Sequence, residues 1–263
     1  MFITLTTLLL GACSLAAEGS RSVHRPENRI IDGELASLGE FPYMASLRKN
    51  DKHHCGAVIF NEEYLLTVAH CIDTSHPEAV KVWAGFTNLD NPGEFLQERE
   101  VARIIWPLDY DPTVAFVKDI AVIKVMTPFE FNDNVGKIDL PPDDSYEYTG
   151  DAVIVGWGVT DDTGTTTSDM HKAVIPVHPR SLCVSSYGNK FPQSLLCAGP
   201  LEGGVDSCKG DSGGPLVCPT EDGGSILCGI IAGGIGCGFR LLPGFYTATA
   251  KYLIFIRDSM WEA

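Results

Sequence analysis

The sequence predicts an all-β protein ending in one helix, and three observations carry that prediction. Short apolar runs of about four to eight residues recur along the chain, the length that strands take. Many of the 27 glycines and 16 prolines fall between those runs and punctuate them as turns. Only the final stretch, Tyr252 to Trp261, carries an apolar pattern of helical type. At 263 residues the chain is long enough for one or two domains with sizeable cores.

Residues Met1 to Ala17 are mostly apolar, centred on Leu8 to Leu10, and end in Ser14-Leu15-Ala16-Ala17, in which all but Leu15 are small. The stretch reads as a secretory signal peptide cut after Ala16 or Ala17, although it lacks a basic leading stretch. Leu10-Gly11-Ala12-Cys13 also resembles a bacterial lipoprotein cleavage box. No other segment has the roughly 20 uninterrupted apolar residues of a membrane-spanning helix. Removing residues 1–17 removes Cys13 and leaves eight cysteines, an even number suited to disulfides in an oxidising compartment. Their spacings lack the paired Cys-x-x-Cys clusters of zinc sites. No metal and no cofactor is expected.

The formal net charge is −15. Residues 18–29 carry Arg21, Arg25 and Arg29 against Glu18 and Glu27, a net +1, so the chain from residue 30 onward stands at −16. Such a surface repels nucleic acid and anionic membranes, and it suits basic protein or peptide substrates. Many of the acids, among them Asp143, Asp144, Glu147, Asp151, Asp161 and Asp162, sit in turn-like stretches where solvated charge is common.

Arg25-Pro26-Glu27-Asn28-Arg29 is polar and basic, and it gives way abruptly to Ile30-Ile31-Asp32-Gly33. Phe41 to Leu47 and Cys55 to Phe60 form strands around a charged turn, Arg48 to Lys52. Tyr64-Leu65-Leu66-Thr67-Val68-Ala69 is an apolar run closed by His70-Cys71, while His53 and His54 match no motif and are expected in a solvated loop. Val80 to Gly85 is a further strand, and the loop after it carries Glu94, Glu98 and Glu100. Asp119 precedes the apolar strand Ile120 to Val125. The proline- and acid-rich stretch Asn134 to Ser145 links two halves, and Asp151-Ala152-Val153-Ile154-Val155-Gly156-Trp157-Gly158 opens the second. Asp161 to Asp169 is a surface loop open to nicking. Ile226 to Gly234 is a strand running out into glycines, ahead of Cys237 and Pro243-Gly244-Phe245-Tyr246.

The longest chemical signal is Asp206-Ser207-Cys208-Lys209-Gly210-Asp211-Ser212-Gly213-Gly214-Pro215. A serine flanked by an acid and glycines has an uncovered hydroxyl and backbone N–H groups free to point inward. A nucleophile beside an oxyanion hole needs that combination. The Gly-Asp-Ser-Gly-Gly-Pro string resembles the active-serine segment of the chymotrypsin family of serine proteases. The run ending in His70-Cys71 resembles that family's Thr-Ala-Ala-His-Cys, with Val68 for one alanine. Asp119-Ile120-Ala121-Val122-Ile123 resembles its Asp-Ile-Ala-Leu-Leu, and Gly156-Trp157-Gly158 its Gly-Trp-Gly. Four motifs in order, over about residues 30 to 263, imply two packed six-stranded antiparallel β-barrels with a C-terminal helix and an active site in the crevice between them. The implied limits are about 30–139 for the first barrel, about 140–250 for the second and about 251–261 for the helix.

The resemblance further implies roles. Ser212 is the nucleophile, His70 the general base, Asp119 the acid that orients it, and the N–H groups of Gly210 and Ser212 the oxyanion hole. Asp206 falls at the floor of the pocket for the residue before the cut, with Gly234 and Gly244 leaving it open, as in trypsin. That implies cleavage after Arg or Lys. Residues 18–29 resemble an activation propeptide: cutting after Arg29 frees the Ile30 amine as a partner for Asp211. Asp32 departs from the family's Ile-Val-Gly-Gly start. The implied partners are protein or peptide substrates, an activating protease and protein protease inhibitors, with a secreted, extracellular location. Related enzymes bind calcium near Glu94, Glu98 and Glu100, but Phe86 stands where they place a first acidic ligand.

The resemblance pairs Cys55 with Cys71, Cys183 with Cys197 and Cys208 with Cys237. The family's partner for Cys218 would fall at Ala152, so a hairpin turning at Glu221 to Ser225 is expected to join Cys218 to Cys228 instead. A second departure is Ala232-Gly233-Gly234 where the family has Ser-Trp-Gly. Ala232 loses a hydroxyl that would support Asp119, and Gly233 removes the indole that walls the neighbouring subsites. Weaker subsite binding is the expectation, with a tryptophan at 233 restoring it. The alternative function is a catalytically weak or inactive homologue acting as a binding or cofactor protein. A secreted structural protein would need none of Ser212, His70 and Asp119.

Overall fold

The computed structural model describes residues 33–72, 80–114, 116–159 and 167–261. The expected signal peptide (1–17), the propeptide (18–29), the Arg29–Ile30 bond and most of the loop expected at 161–169 lie outside the described residues.

The first half contributes β1 (Glu34–Leu35), β2 (Met44–Lys49), β3 (Lys52–Ile59), β4 (Tyr64–Thr67), β5 (Val80–Ala84), β6 (Gln97–Ile105) and β7 (Ala121–Val125). The second contributes β8 (Gly150–Gly156), β9 (His171–Val177), α1 (Arg180–Tyr187), β10 (Leu195–Ala198), β11 (Pro215–Pro219), β12 (Ser225–Gly233), β13 (Gly244–Ala248) and α2 (Leu253–Trp261). Strands β2-β3-β4-β7-β6-β5 close into one antiparallel barrel through the β2–β5 pairing. A second ring, β8-β9-β10-β13-β12-β11, closes where β11 pairs with β8, and β1 adds to the outside of β9.

Local sequence explains the turns. The β2–β3 hairpin reverses at Asn50-Asp51, with φ of 51° and 60°. Both residues tolerate the left-handed region, and a two-residue turn of this hand matches the twist of the strands. The turn expected at Arg48 to Lys52 is therefore tighter, with Lys49 paired to Lys52. Two elements carry no clear signal in sequence. Strand β6 reads as charged loop because Glu98 and Glu100 stand on it, yet Glu98 accepts from both Lys81 Nζ and Trp83 Nε1 at 2.7 Å. Helix α1 is only eight residues long, with no side-chain hydrogen bond from its N-cap, Pro179.

Each barrel has its own core. Leu47, Ile59, Leu65 and Ile123 are fully buried in the first, and Ile154, Ile175, Leu216 and Tyr246 in the second. Burial of each such side chain stabilises by roughly 1.5–3 kcal/mol. A seam of Met44, Phe86, Val155, Trp157 and Met170 joins the barrels, with the Phe86 and Trp157 rings stacked at 5.0 Å. Helix α2 returns to the first barrel, burying Ile256 there. The disulfides are Cys55–Cys71, Cys183–Cys197, Cys208–Cys237 and Cys218–Cys228. The last spans the β11–β12 hairpin, whose strands leave 220–224 as the turn.

Candidate active site

His70 lies in a short 3-10 turn, Ala69–Cys71, directly after β4, and the Cys55–Cys71 bridge ties that turn to β3. Asp119 ends the loop entering β7 and is buried. Its carboxylate meets His70 twice: Oδ1 accepts the main-chain N–H at 2.9 Å, and Oδ2 lies 2.7 Å from Nδ1. A carboxylate accepts only, so Nδ1 carries the hydrogen and Nε2 keeps its lone pair. The main chain of Asp119 is held by Thr247, whose Oγ1 donates to the Asp119 carbonyl at 2.8 Å.

Ser212 belongs to the second barrel and is carried to His70 across the junction. The Gly56 N–H donates to the Ser212 carbonyl at 2.7 Å, and Cys71 Sγ lies 3.8 Å from the same oxygen. The serine loop is held on both sides. Lys209 O accepts from Val159 N–H at 2.7 Å, which fixes the 209–210 peptide plane and turns the Gly210 N–H the opposite way. Asp211 O accepts from Gly214 N–H at 2.9 Å and fixes the 211–212 plane similarly. Gly210 itself has φ +99°.

Asp211 is fully buried. It accepts N–H bonds from Gly158 at 2.8 Å and Cys208 at 3.0 Å. Burial raises its carboxyl to about 6, the two N–H bonds opposing that rise. Among the described residues no cation pairs with it. Its approach to the Gly-Trp-Gly segment explains both glycines there: a Cβ at Gly156 would sit 2.0 Å from Oδ1, and one at Gly158 2.3 Å from Oδ2.

Asp206 is buried beneath the loop, accepting from Ser207 N–H and Gly238 N–H at 2.8 Å each. Burial raises its carboxyl to about 6, again against two N–H bonds. Gly244 adjoins it, since a Cβ there would lie 3.0 Å from Oδ1, and Gly234 adjoins Gly244 at 3.7 Å on the same measure. Gly244 thus stands between Asp206 and Gly234, and the Cys208–Cys237 bridge links the segment after Asp206 to the one after Gly234.

His53 corrects the expectation of a solvated loop. It lies on β3, half-buried, with its ring 5.5 Å edge-on to Trp157. Nε2 is 3.0 Å from the Gly210 carbonyl and Nδ1 is 2.8 Å from Ser46 Oγ. The carbonyl accepts only, so Nε2 donates and Ser46 donates to Nδ1. Burial depresses its pKa to about 4. Alternation along β3 does not reveal this placement, because the register shifts between Cys55, opposite Leu47, and His53, opposite Arg48.

Asp119 and His70 of the first barrel thus lie beside the Ser212 main chain at the junction of two closed β-barrels, an arrangement suited to acyl-transfer hydrolysis. The Trypsin family model matches residues 30–256. The chain is 35% identical over 236 residues to Trypsin-1 of Astacus astacus, covering 87% of this chain and 98% of that protein. It is 34% identical over 253 residues to serine proteinase stubble of Drosophila melanogaster, covering 91% of this chain and 32% of that protein. It is also 34% identical over 247 residues to transmembrane protease serine 9 of Rattus norvegicus, covering 93% of this chain and 23% of that protein. The chain thus spans about a third and about a quarter of those last two relatives. It belongs to the trypsin family of serine proteases. No helix among the described residues is long and apolar enough to cross a membrane.

Proposed function

We propose that the chain is a secreted serine endopeptidase, made as a zymogen, activated by cleavage after Arg29 and hydrolysing peptide bonds after Arg or Lys. The observation that carries this reading is the pair of hydrogen bonds that the Asp119 carboxylate accepts from His70. It sets the imidazole with Nδ1 protonated and Nε2 ready to take a proton.

In the proposed reaction Ser212 Oγ attacks the scissile carbonyl carbon as His70 Nε2 takes the hydroxyl proton. The Gly210 and Ser212 N–H groups receive the oxyanion. Collapse breaks the C–N bond, the imidazolium returns its proton to the leaving amine, and an acyl-enzyme remains. Water then attacks the ester with His70 again as base, releasing the carboxylic acid and restoring the Ser212 hydroxyl. Losing one oxyanion donor typically costs ~100-fold or more in rate.

Asp206 supports the specificity. Its carboxylate has two N–H donors and no cation among the described residues, so a substrate guanidinium or ammonium supplies the missing charge away from bulk water. Asp211 supports the activation step: a buried carboxylate destabilised by desolvation gains from a new ammonium at Ile30. The four disulfides fit an oxidising, extracellular setting. Protein or peptide substrates, an activating protease and protein protease inhibitors are the proposed partners. Retention of Ser212, His70 and Asp119 weighs against an inactive homologue.

Digestion of a mixed peptide library by the chain cleaved after Arg29, with the new termini read by mass spectrometry, tests the specificity. Cuts after Arg and Lys are expected. Cuts after aromatic or small residues, or none, would overturn it.

A further inference from the structure

We infer that the Arg240–Leu241 bond is a processing site for the chain's own activity, cut in one molecule by another, and that the cut switches the molecule off. This role for Arg240 rests on the protease reading above and adds a means of regulation to it.

A protease that cuts after Arg and Lys meets its own basic residues. Strands and helices withhold most of them, because cleavage needs a segment free to leave its place in the fold. Among the described residues, Lys118, Lys137, Lys190, Lys209 and Arg240 lie outside regular structure. Lys118 precedes buried Asp119, Lys137 buried Ile138 and Lys190 buried Phe191. Lys209 belongs to the serine loop, where its carbonyl is held by the Val159 N–H. Arg240 alone of the five is exposed together with both chain neighbours, Phe239 at 57% and Leu241 at 56%.

These three residues stand on the loop between β12 and β13. Its main chain is tied by Leu241 N–H to the Leu201 carbonyl at 2.8 Å and by Leu242 N–H to the Phe239 carbonyl at 3.2 Å. The Phe239 ring folds onto its own loop, since a Cβ at Gly236 would lie 2.5 Å from Cε2, and so adds little anchorage to either barrel. Leu241 has φ +63°, a left-handed conformation that is unfavourable for leucine and that a cut releases. The Cys208–Cys237 bridge fixes the loop three residues before Arg240, beside its own pocket. Arg240 is thereby kept from turning back into that pocket, and a second molecule supplies the site.

In the step, the Arg240 guanidinium of one molecule meets the Asp206 carboxylate of the other, and Ser212 Oγ attacks the Arg240 carbonyl carbon. The bond from that carbon to the Leu241 nitrogen breaks, and His70 gives the serine proton to the departing amine. Water then releases a carboxylate on Arg240 and restores Ser212. The consequence follows from what lies beyond the cut. Residues 241–263 carry Gly244 beside Asp206, and Thr247, whose hydroxyl donates to the Asp119 carbonyl. They contain no cysteine, so no disulfide ties them to the rest, and they stay in place only through the pairing of β13 with β12 and β10 and the packing of α2. On the other side of the cut, Gly238, which donates to Asp206 at 2.8 Å, loses its continuation into β13. One cut therefore loosens both the Asp206 pocket and the hold on Asp119.

The test mixes the active chain, cleaved after Arg29, with the Ser212→Ala chain in the same form carrying a heavy nitrogen isotope. Mass spectrometry without reduction should find heavy fragments 30–240 and 241–263, which only a cut by another molecule produces. In the active chain alone, turnover of an Arg peptide should fall in step with the appearance of 241–263. Arg240→Gln should stay whole and keep its activity severalfold longer, while Arg240→Lys should still be cut. Limited digestion of the Ser212→Ala chain by a purified trypsin reports on the site even if the chain itself is inactive, and the bond after Arg240 should be the first to go. An intact 240–241 bond in a mixture that turns over the Arg peptide, or an earlier cut elsewhere, overturns the processing site. A cut chain that keeps full activity overturns the switch. Absent turnover of the Arg peptide, with trypsin cutting first after Arg240, overturns the protease reading and the chain's part in the cut, leaving only the exposure of the bond.

Discussion

His53 Nε2 donates to the carbonyl of Gly210 at 3.0 Å, so a strand of the first barrel holds the serine loop of the second. The histidine spans the junction because its other nitrogen is fixed by Ser46. Replacing His53 by Ala should lower kcat/KM about tenfold through a misplaced Gly210 N–H, less than the ~100-fold of losing an oxyanion donor outright. KM for an Arg peptide should change little. His53→Gln, which still offers an N–H, should recover part of kcat in steady-state kinetics. A wild-type kcat in His53→Ala would show that the loop is held without it.

Asp211 in the uncleaved chain is a carboxylate whose pKa is raised by burial to about 6. Between its ordinary value near 3.8 and 6 the folded state binds more protons than the unfolded one. Its contribution to stability is therefore full below about 3.8 and is lost as pH rises through 6. Asp206 has the same sign, and His53, depressed to about 4, has the opposite one. Denaturant titrations of the uncleaved chain from pH 4 to 7 should show Asp211→Asn gaining relative to wild type as pH rises. After cleavage at Arg29 that gain should vanish or reverse, because the Ile30 amine then stabilises the ionised form. Identical pH profiles before and after cleavage would contradict the pairing.

Gly156 and Gly158 approach the Asp211 carboxylate too closely for any side chain. Gly158→Ala should either destabilise the fold by more than about 2 kcal/mol or displace Asp211 and with it the serine loop. Thermal unfolding and the rate of labelling by a fluorophosphonate separate those two routes. A variant with normal stability and normal labelling would mean that Asp211 can move without consequence.

The Cys218–Cys228 bridge closes a hairpin of ten residues' separation. Changing both cysteines to alanine should cost about 2–3 kcal/mol in urea unfolding, the entropy of so short a loop. Peptide mapping should find no free thiol at Cys218 in the unmodified chain. A free thiol there would rule the bridge out.

Much of this was legible in the sequence because local patterns and global fold agree. Apolar runs between glycines marked β3, β4, β7 and β12, and the serine segment, His70 and Asp119 stood out by their motifs. Strand β6 was hidden because Glu98 serves Lys81 and Trp83 on the barrel's outside, so charge masked the alternation. His53 was missed because its value comes from Gly210, 157 residues away in sequence. The contact at Gly233 was invisible for the same reason: a Cβ there would lie 2.7 Å from the Phe116 ring, a closeness that only packing shows.

The central claim is that Ser212 is activated through His70 and Asp119 once the chain is cut after Arg29. The most direct measurement is labelling by a fluorophosphonate probe of the chain before and after that cut, with Ser212→Ala alongside. The account predicts strong labelling only after cleavage, confined to Ser212 and lost in Ser212→Ala. Labelling that survives in Ser212→Ala, or its absence from the cleaved wild-type chain, would contradict it.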